Sequence, residues 1–211
     1  MTIEQGSPEW FELRQGKITA SKISDVMAKG KGSADSLTRI KYRNELIRER
    51  LTGKSLPGYS NPSMERGTLL EPLARASYEV KFNTFVEQVP FVNHPIIANA
   101  GASPDGLVGE NGLLEIKCPD PHNHLSNILD KGESMTAKYY NQIQFQLACL
   151  PEREWCDLAS FDPDMIDNLQ LFIVRVPRDK EWIKEIEDAV IKFDEEVTQY
   201  IINLKERKNG D

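Results

Sequence analysis

Residues 103–119 read Ser-Pro-Asp-Gly-Leu-Val-Gly-Glu-Asn-Gly-Leu-Leu-Glu-Ile-Lys-Cys-Pro. The triplet at 110–112, Glu-Asn-Gly, is a strong turn signal between two apolar runs, and it predicts a β-hairpin from Gly106 to Lys117. Such a hairpin brings Asp105, which precedes the first strand, alongside the second strand, which carries Glu115. The sequence therefore predicts that two carboxylates separated by nine residues lie close together.

Side chains on the second strand of this hairpin alternate between two faces. Glu115 and Lys117 point the same way, whereas Ile116 points into the core. Charged groups in so apolar a strand are costly unless they are compensated, which favours a functional site. The alternative is that these charges only keep a strand edge soluble.

Two converging carboxylates are suitable ligands for a hard divalent cation. Mg²⁺ typically takes one or two carboxylates together with water and phosphate oxygens, and Asp105 and Glu115 would supply the protein's share. A bound cation polarises a phosphate group and lowers the pKa of a water molecule. Lys117 would position or deprotonate that water and offset developing negative charge.

The rest of the chain predicts a mixed α/β (α+β) fold, with a central mixed β-sheet flanked by helices. We expect a single domain over residues 1–211, divided into a helical part (1–81), a sheet-rich core (82–176) and a C-terminal helix with a tail (177–211). Residues 53–67 are predicted to form an exposed loop. The predicted helices are 7–16, 22–28, 37–52, 67–81, 139–150 and 179–204, and the predicted strands are 85–92, 98–102, 106–108, 113–118, 155–161 and 169–176.

The charge of the chain is unevenly distributed. Its net charge is −7, but residues 1–81 hold 14 Lys and Arg against 10 Asp and Glu, whereas residues 82–211 hold 12 against 23. The first third is therefore the part suited to face a polyanion. The three cysteines are expected to be reduced thiols. Without a predicted membrane span or signal peptide, we expect a soluble, intracellular protein.

Two segments of the hairpin region, at 104–105 and 115–117, resemble motifs of a known group of enzymes. Pro104-Asp105 followed by Glu115-Ile116-Lys117 resembles the PD-(D/E)XK nuclease superfamily, which implies a restriction-endonuclease-like core. The resemblance narrows to the phage lambda exonuclease branch, also called YqaJ-type viral recombinases, over roughly residues 4–162. Its further segments are Glu4-Gln5-Gly6, Trp10, Leu13-Arg14, Gly16, Ile18-Thr19-Ala20-Ser21, Ser103 to Leu107, Glu115 to Pro119 and Phe161-Asp162-Pro163.

This resemblance implies a magnesium-dependent deoxyribonuclease of the alkaline exonuclease type. Such an enzyme degrades double-stranded DNA processively from 5′ to 3′, releases 5′-mononucleotides and leaves 3′ single strands for recombination by strand annealing. It implies two Mg²⁺ ions, which Mn²⁺ can replace, a ring-shaped homotrimer and a single-strand annealing protein as partner. It also implies a phage or prophage origin and a location in the bacterial cytoplasm.

The resemblance assigns roles to individual residues. Asp105, Glu115 and the backbone carbonyl of Ile116 would be metal ligands, and Lys117 would lie near the nucleophilic water. Glu71 matches an upstream acidic residue that supports the metal site.

A 5′-phosphate pocket and a wedge between the strands are also expected. Arg14, Ser21, Ser103 and Gln142 are suited to bind a terminal 5′-phosphate, since arginine engages phosphate bidentately and Ser21 lies near a predicted helix start. Met64 would separate the strands, or would instead cover the core as an apolar lid.

Several alternatives stay open at this point. The scaffold also suits an endonuclease or a RecB-like repair nuclease, and a non-catalytic DNA-end-binding protein is an alternative of another class. His122 and His124 are candidate zinc ligands, although no further ligand completes a set. The apolar stripe of the last helix is expected to pack on its own domain or, alternatively, to form a subunit contact. Cys118 and Cys149 are expected to be packing residues.

Overall fold

The computed structural model describes residues 3–32, 34–55 and 62–207. Its helices are α1 (Pro8–Arg14), α2 (Ile23–Val26), α3 (Leu37–Thr52), α4 (Pro62–Phe82), α5 (Pro121–Leu129), α6 (Glu133–Cys149) and α7 (Lys180–Glu206). Its strands are β1 (Ile18–Thr19), β2 (Val86–Glu87), β3 (Val92–Asn93), β4 (Ala100–Ala102), β5 (Gly106–Val108), β6 (Gly112–Lys117), β7 (Trp155–Phe161) and β8 (Leu171–Pro177). Short 3₁₀ turns occur at Ala20–Lys22 and Asp167–Leu169.

The main sheet has five strands in the order β2-β5-β6-β7-β8. Strands β5 and β6 form the predicted antiparallel hairpin, and β7 and β8 are also antiparallel. Strands β6 and β7 are parallel, so the chain needs a crossover between them, which α5 and α6 provide. The predicted mixed α/β fold with a mixed sheet flanked by helices is therefore confirmed.

Apolar side chains cover both faces of this sheet. One buried cluster joins the sheet to α3, α6 and α7, and it includes Leu113 of β6. The second cluster joins the sheet to α4 through Ala74 and Tyr78, and it includes Leu114 and Ile116. Successive residues of β6 thus enter opposite clusters, as the period of two predicts.

A second sheet of three strands, in the order β1-β4-β3, lies apart from the main sheet in its hydrogen bonding. The single strand predicted over residues 85–92 was wrong, because β2 pairs with β5 and β3 pairs with β4. Pro90 lies between β2 and β3 and lacks a backbone N–H, so a continuous ladder is interrupted there.

The ends of the helices show where local signals were sufficient. Ser36 caps α3 by accepting a hydrogen bond from the N–H of Arg39 at 3.1 Å, and Gly53 ends the helix at a φ of 62°. The predicted loop over 53–67 was wrong for its last residues, since α4 begins at Pro62. Proline is favoured in the first turn of a helix, where no N–H is needed. Residues 56–61 of that loop lie outside the described residues.

The C-terminal helix α7 packs on its own domain, as expected. The carboxylate of Asp179 accepts a hydrogen bond from the N–H of Trp182 at 3.0 Å and so caps the helix. Four residues of its apolar stripe are fully buried, namely Ile186, Val190, Phe193 and Val197.

Among the helices of the described part of the chain, none has a stretch both long and apolar enough for a membrane crossing.

Gly101 of β4 provides a test of how tightly the small sheet is built. A Cβ atom there would lie 2.3 Å from the Phe91 ring and 2.4 Å from the Val92 carbonyl oxygen. We expect Gly101→Ala to lower the free energy of unfolding by about 1–3 kcal/mol, measured by urea denaturation, because the backbone must shift.

Gly67→Ala is the matched control, since an added Cβ at Gly67 within α4 would meet no atom within 4 Å among the described residues outside the helix backbone and the two chain neighbours. It should leave stability unchanged or raise it by up to about 1 kcal/mol, because alanine is the better helix former. Equal losses in the two variants would contradict the packing described for β4.

Candidate active site

The β5–β6 hairpin positions the first carboxylate. Gly106 pairs with Leu114, and the turn passes through Gly109 at a φ of +54°. Asp105 lies just before β5, where its Oδ2 accepts a hydrogen bond from the N–H of Ile116 at 2.6 Å. The carboxylate therefore continues the ladder beyond the last backbone pair of the hairpin.

Glu115 is the centre of a hydrogen-bonded cluster. Its side chain is only 2% exposed, and Lys117 Nζ lies 2.5 Å from its Oε1. The amide of Gln142 also donates to Oε1, at 2.5 Å, and the amide of Gln146 donates to Oε2 at 2.6 Å. The structure thus brings Asp105, Glu115 and Lys117 together and turns Ile116 away into the apolar cluster, as the alternation predicted.

The charges of this cluster do not balance. Burial raises the pKa of Asp105 well above its usual value, and the nearby charge of Glu115 raises it further. The pKa of Lys117 is also raised, since attraction to Glu115 and Asp105 outweighs the effect of burial. The raised pKa favours the charged form of Lys117, and a cation in addition to this lysine would stabilise the neighbouring carboxylates.

Glu71 of α4 belongs to the edge of the same cluster. Burial raises its pKa, Arg75 partly offsets that effect, and the charges of Glu115 and Lys117 also act on it. Its Oε1 accepts a hydrogen bond from Arg75. The structure thus places this residue within electrostatic range of the hairpin carboxylates, on the opposite side of the sheet from Gln142.

The oxygen atoms present suit a hard divalent cation. Asp105 and Glu115 offer carboxylates, and the backbone of Ile116 adds a carbonyl that points to the same edge as its N–H, toward Asp105. Within residues 3–32, 34–55 and 62–207, no group of three or more His, Cys, Asp or Glu side chains has the arrangement of a metal site. Two carboxylates and one carbonyl would be few ligands from the protein and would leave positions for water and phosphate, an arrangement that Mg²⁺ favours.

A second polar cluster surrounds Arg14 of α1. Arg14 Nη1 donates to the Ser103 hydroxyl at 3.3 Å, and the guanidinium lies 4.0 Å from the centre of the Trp10 ring. The Trp10 indole N–H donates to the same hydroxyl at 3.0 Å. Ser103 lies two residues before Asp105, so this cluster and the hairpin carboxylates are adjacent along the chain.

The other residues predicted for the phosphate pocket lie in different settings. Ser21 is exposed in the 3₁₀ turn, with its hydroxyl 3.4 Å from that of Thr19. Gln142 donates to Glu115 and thus belongs to the carboxylate cluster.

Met64 lies in the first turn of α4, but its side chain is outside the described residues, so the wedge and the lid both stay predictions.

Two residues of these clusters were not predicted from the sequence as part of a site. Trp10 supports Arg14 and Ser103, and Gln146 binds the second oxygen of Glu115. Gln146 stands four residues after Gln142, which puts both on one face of a helix, and this spacing was a usable signal. Trp10 offered no comparable signal in its spacing.

His122 is exposed on α5, whereas the other candidate zinc ligand, His124, and the cysteines Cys118 and Cys149 have structural roles. His124 is buried, and its two ring nitrogens lie 2.8 Å from the Ser160 hydroxyl and 2.8 Å from the Leu169 carbonyl oxygen. Neither nitrogen is available to zinc. Cys149 is buried and Cys118 is half-buried; burial raises the pKa of the Cys118 thiol to about 12. Both thiols are therefore poor nucleophiles near neutral pH.

Comparisons with known proteins agree with the resemblance of the sequence motifs. The alkaline exonuclease LHK-Exo from Laribacter hongkongensis superposes with a TM-score of 0.86 at 43% identity, over 94% of this chain and 96% of that chain. LHK-Exo in complex with dAMP gives the same TM-score and coverage at 44% identity. A phage related exonuclease from Haemophilus somnus 129PT shares the fold, with a TM-score of 0.74 at 15% identity over 91% of this chain and 98% of that chain.

No curated protein matches the chain. The family model of the YqaJ-like viral recombinase domain, in contrast, matches residues 9–151, which include both polar clusters. The chain therefore belongs to the YqaJ-like viral recombinase family.

Proposed function

We propose that this protein is a magnesium-dependent exonuclease that degrades double-stranded DNA from 5′ ends. The observation that carries the proposal is the cluster of Asp105, Glu115 and Lys117 on one hairpin, in a chain 43% identical to an alkaline exonuclease. Release of 5′-mononucleotides, a homotrimeric assembly and an annealing protein as partner belong to the same proposal. The family and the dAMP complex of LHK-Exo support it.

Asp105, Glu115 and the carbonyl of Ile116 would hold the metal, with Glu71 supporting it from α4. A bound Mg²⁺ supplies Lewis-acid polarisation of the phosphate and a lower pKa for a coordinated water. Burial lowers the pKa of Lys117, but the charges of Glu115 and Asp105 raise it by more, which favours the charged form of the lysine. It therefore acts as a hydrogen-bond donor that orients the attacking water and offsets charge on the phosphate.

The cluster around Arg14 would hold the terminal phosphate. Arg14 offers a planar cationic donor whose position is fixed by Trp10 and Ser103. Ser21 would contribute its hydroxyl to the pocket from the 3₁₀ turn, and Gln142 would contribute from α6 the amide hydrogen that does not bind Glu115. Because Ser103 lies only two residues before Asp105, a phosphate bound at Ser103 would be held beside the segment that carries the first carboxylate. Binding of the terminal 5′-phosphate would thus determine which phosphodiester bond lies at the carboxylates and is cleaved.

Lys117→Ala tests the chemistry. We expect the rate of magnesium-dependent cleavage to fall at least about 100-fold, because a preorganised cationic donor is lost, while duplex binding measured by fluorescence anisotropy stays within a few-fold. Lys138→Ala is the control, since the ammonium groups of Lys117 and Lys138 both lie over the Tyr139 ring, at 4.6 Å and 5.0 Å, but Lys138 is exposed. Retained cleavage in Lys117→Ala would mean that the chemistry lies elsewhere.

Arg14→Ala tests the recognition of ends. We expect the ratio of cleavage rates for 5′-phosphorylated over 5′-hydroxyl duplexes to fall about tenfold or more, because a charge-assisted contact to the phosphate is removed. Arg48→Ala, which removes an exposed arginine of α3, should leave the ratio unchanged. The pocket would be misplaced if the ratio of Arg14→Ala equalled that of the unaltered protein.

A further inference from the structure

Gln146 is a buried polar residue in the part of α6 that packs into the core. Its side chain is fully buried, and its neighbours Phe145 and Leu147 on α6 are core residues. A glutamine in such a position loses its contacts with water, so its retention calls for a specific partner. That partner is Glu115, whose Oε2 accepts a hydrogen bond from Gln146 Nε2 at 2.6 Å.

The orientation of the Gln146 amide is fixed by this contact. A carboxylate can only accept hydrogen bonds, so the NH₂ group and not the carbonyl oxygen must face Glu115. This orientation of the amide has an energetic cost, because the other amide atom, Oε1, is buried without a hydrogen-bond partner among the described residues. The contact with Glu115 is therefore the interaction that this side chain is placed to make.

The two oxygens of Glu115 are occupied unequally. Oε1 accepts from both Lys117 and Gln142, whereas among the described residues Oε2 accepts from Gln146 alone. A carboxylate has about four acceptor positions, so the position left for a cation lies on Oε2.

We infer that Gln146 is a positioning residue for the metal site, one that orients Glu115 so that the open position of Oε2 is presented to the cation. The inference rests on the proposed function, because it takes Glu115 to be a metal ligand. Gln146 does not touch the reacting atoms and acts through Glu115. Partners of this kind typically change metal affinity about 10- to 100-fold when they are removed.

The test is the affinity of the DNA-free protein for Mn²⁺, measured by titration with electron paramagnetic resonance detection of free Mn²⁺. Gln146→Met keeps the length of the side chain and removes the donor, whereas Gln146→Asn keeps the amide but withdraws it from Glu115. We expect each variant to raise the dissociation constant about 10- to 100-fold. The Mg²⁺ concentration for half-maximal cleavage should rise by a similar factor, and cleavage should recover at saturating Mg²⁺.

Gln144→Met is the matched control. Gln144 is on the same helix and equally buried, but its amide binds the Pro177 carbonyl oxygen and the Asp179 N–H, away from Glu115. Its loss should reduce thermal stability and leave Mn²⁺ affinity unchanged.

Unchanged Mn²⁺ affinity in both Gln146 variants would overturn the inference alone, because wild-type binding would still support the metal site. Equal losses in the Gln144 and Gln146 variants would also overturn it, since a general packing effect would explain them. A wild-type protein that binds no Mn²⁺ would overturn the metal site of the proposed function as well.

Discussion

The β5–β6 hairpin brings two carboxylates, Asp105 and Glu115, close together. The groups around them offset the electrostatic repulsion between the two. Burial and mutual charge raise the pKa of Asp105, so the pair needs cations and hydrogen-bond donors nearby. Lys117 supplies one charge from the same strand, and α6 supplies two amides to Glu115. These groups compensate part of the negative charge, and a divalent cation would compensate the rest. A cluster that is expensive for stability in this way is typical of a site kept for function.

Helix α6 connects the core of the protein to this cluster. Ile143 and Leu147 bury apolar surface on one side, while Gln142 and Gln146, one turn apart, face the end of β6. Because both glutamines are carried by a helix that cannot move without disturbing the core, their amides are held rigidly against Glu115. On the neighbouring segment, Ser103 accepts hydrogen bonds from Trp10 and Arg14, which holds a cationic group against a residue two positions before Asp105.

Local signals predicted much of this arrangement. The turn at 110–112 was enough to predict the hairpin, and the alternation along 113–117 was enough to predict which face of the sheet each side chain occupies. Both features depend on neighbouring residues only. The division of residues 85–92 between two sheets depends on which distant strands pair, and α4 begins earlier than the polar composition of 53–67 indicated. For the same reason Trp10 was missed, since its partner Ser103 is 93 residues away. Gln146 was the avoidable omission, because its spacing from Gln142 was present in the sequence.

Membership of the YqaJ-like viral recombinase family and 43% identity to an alkaline exonuclease support DNA hydrolysis from strand ends. The direction of digestion depends on how the protein binds the end of the DNA. The most direct test is digestion, in Mg²⁺, of a linear duplex with one 5′-phosphorylated and one 5′-hydroxyl end, beside a covalently closed circle of the same sequence. We expect 5′-mononucleotides released from the phosphorylated strand, a 3′ single strand left behind and an intact circle. Cleavage of the circle, or digestion that begins at 3′ ends, would contradict the account.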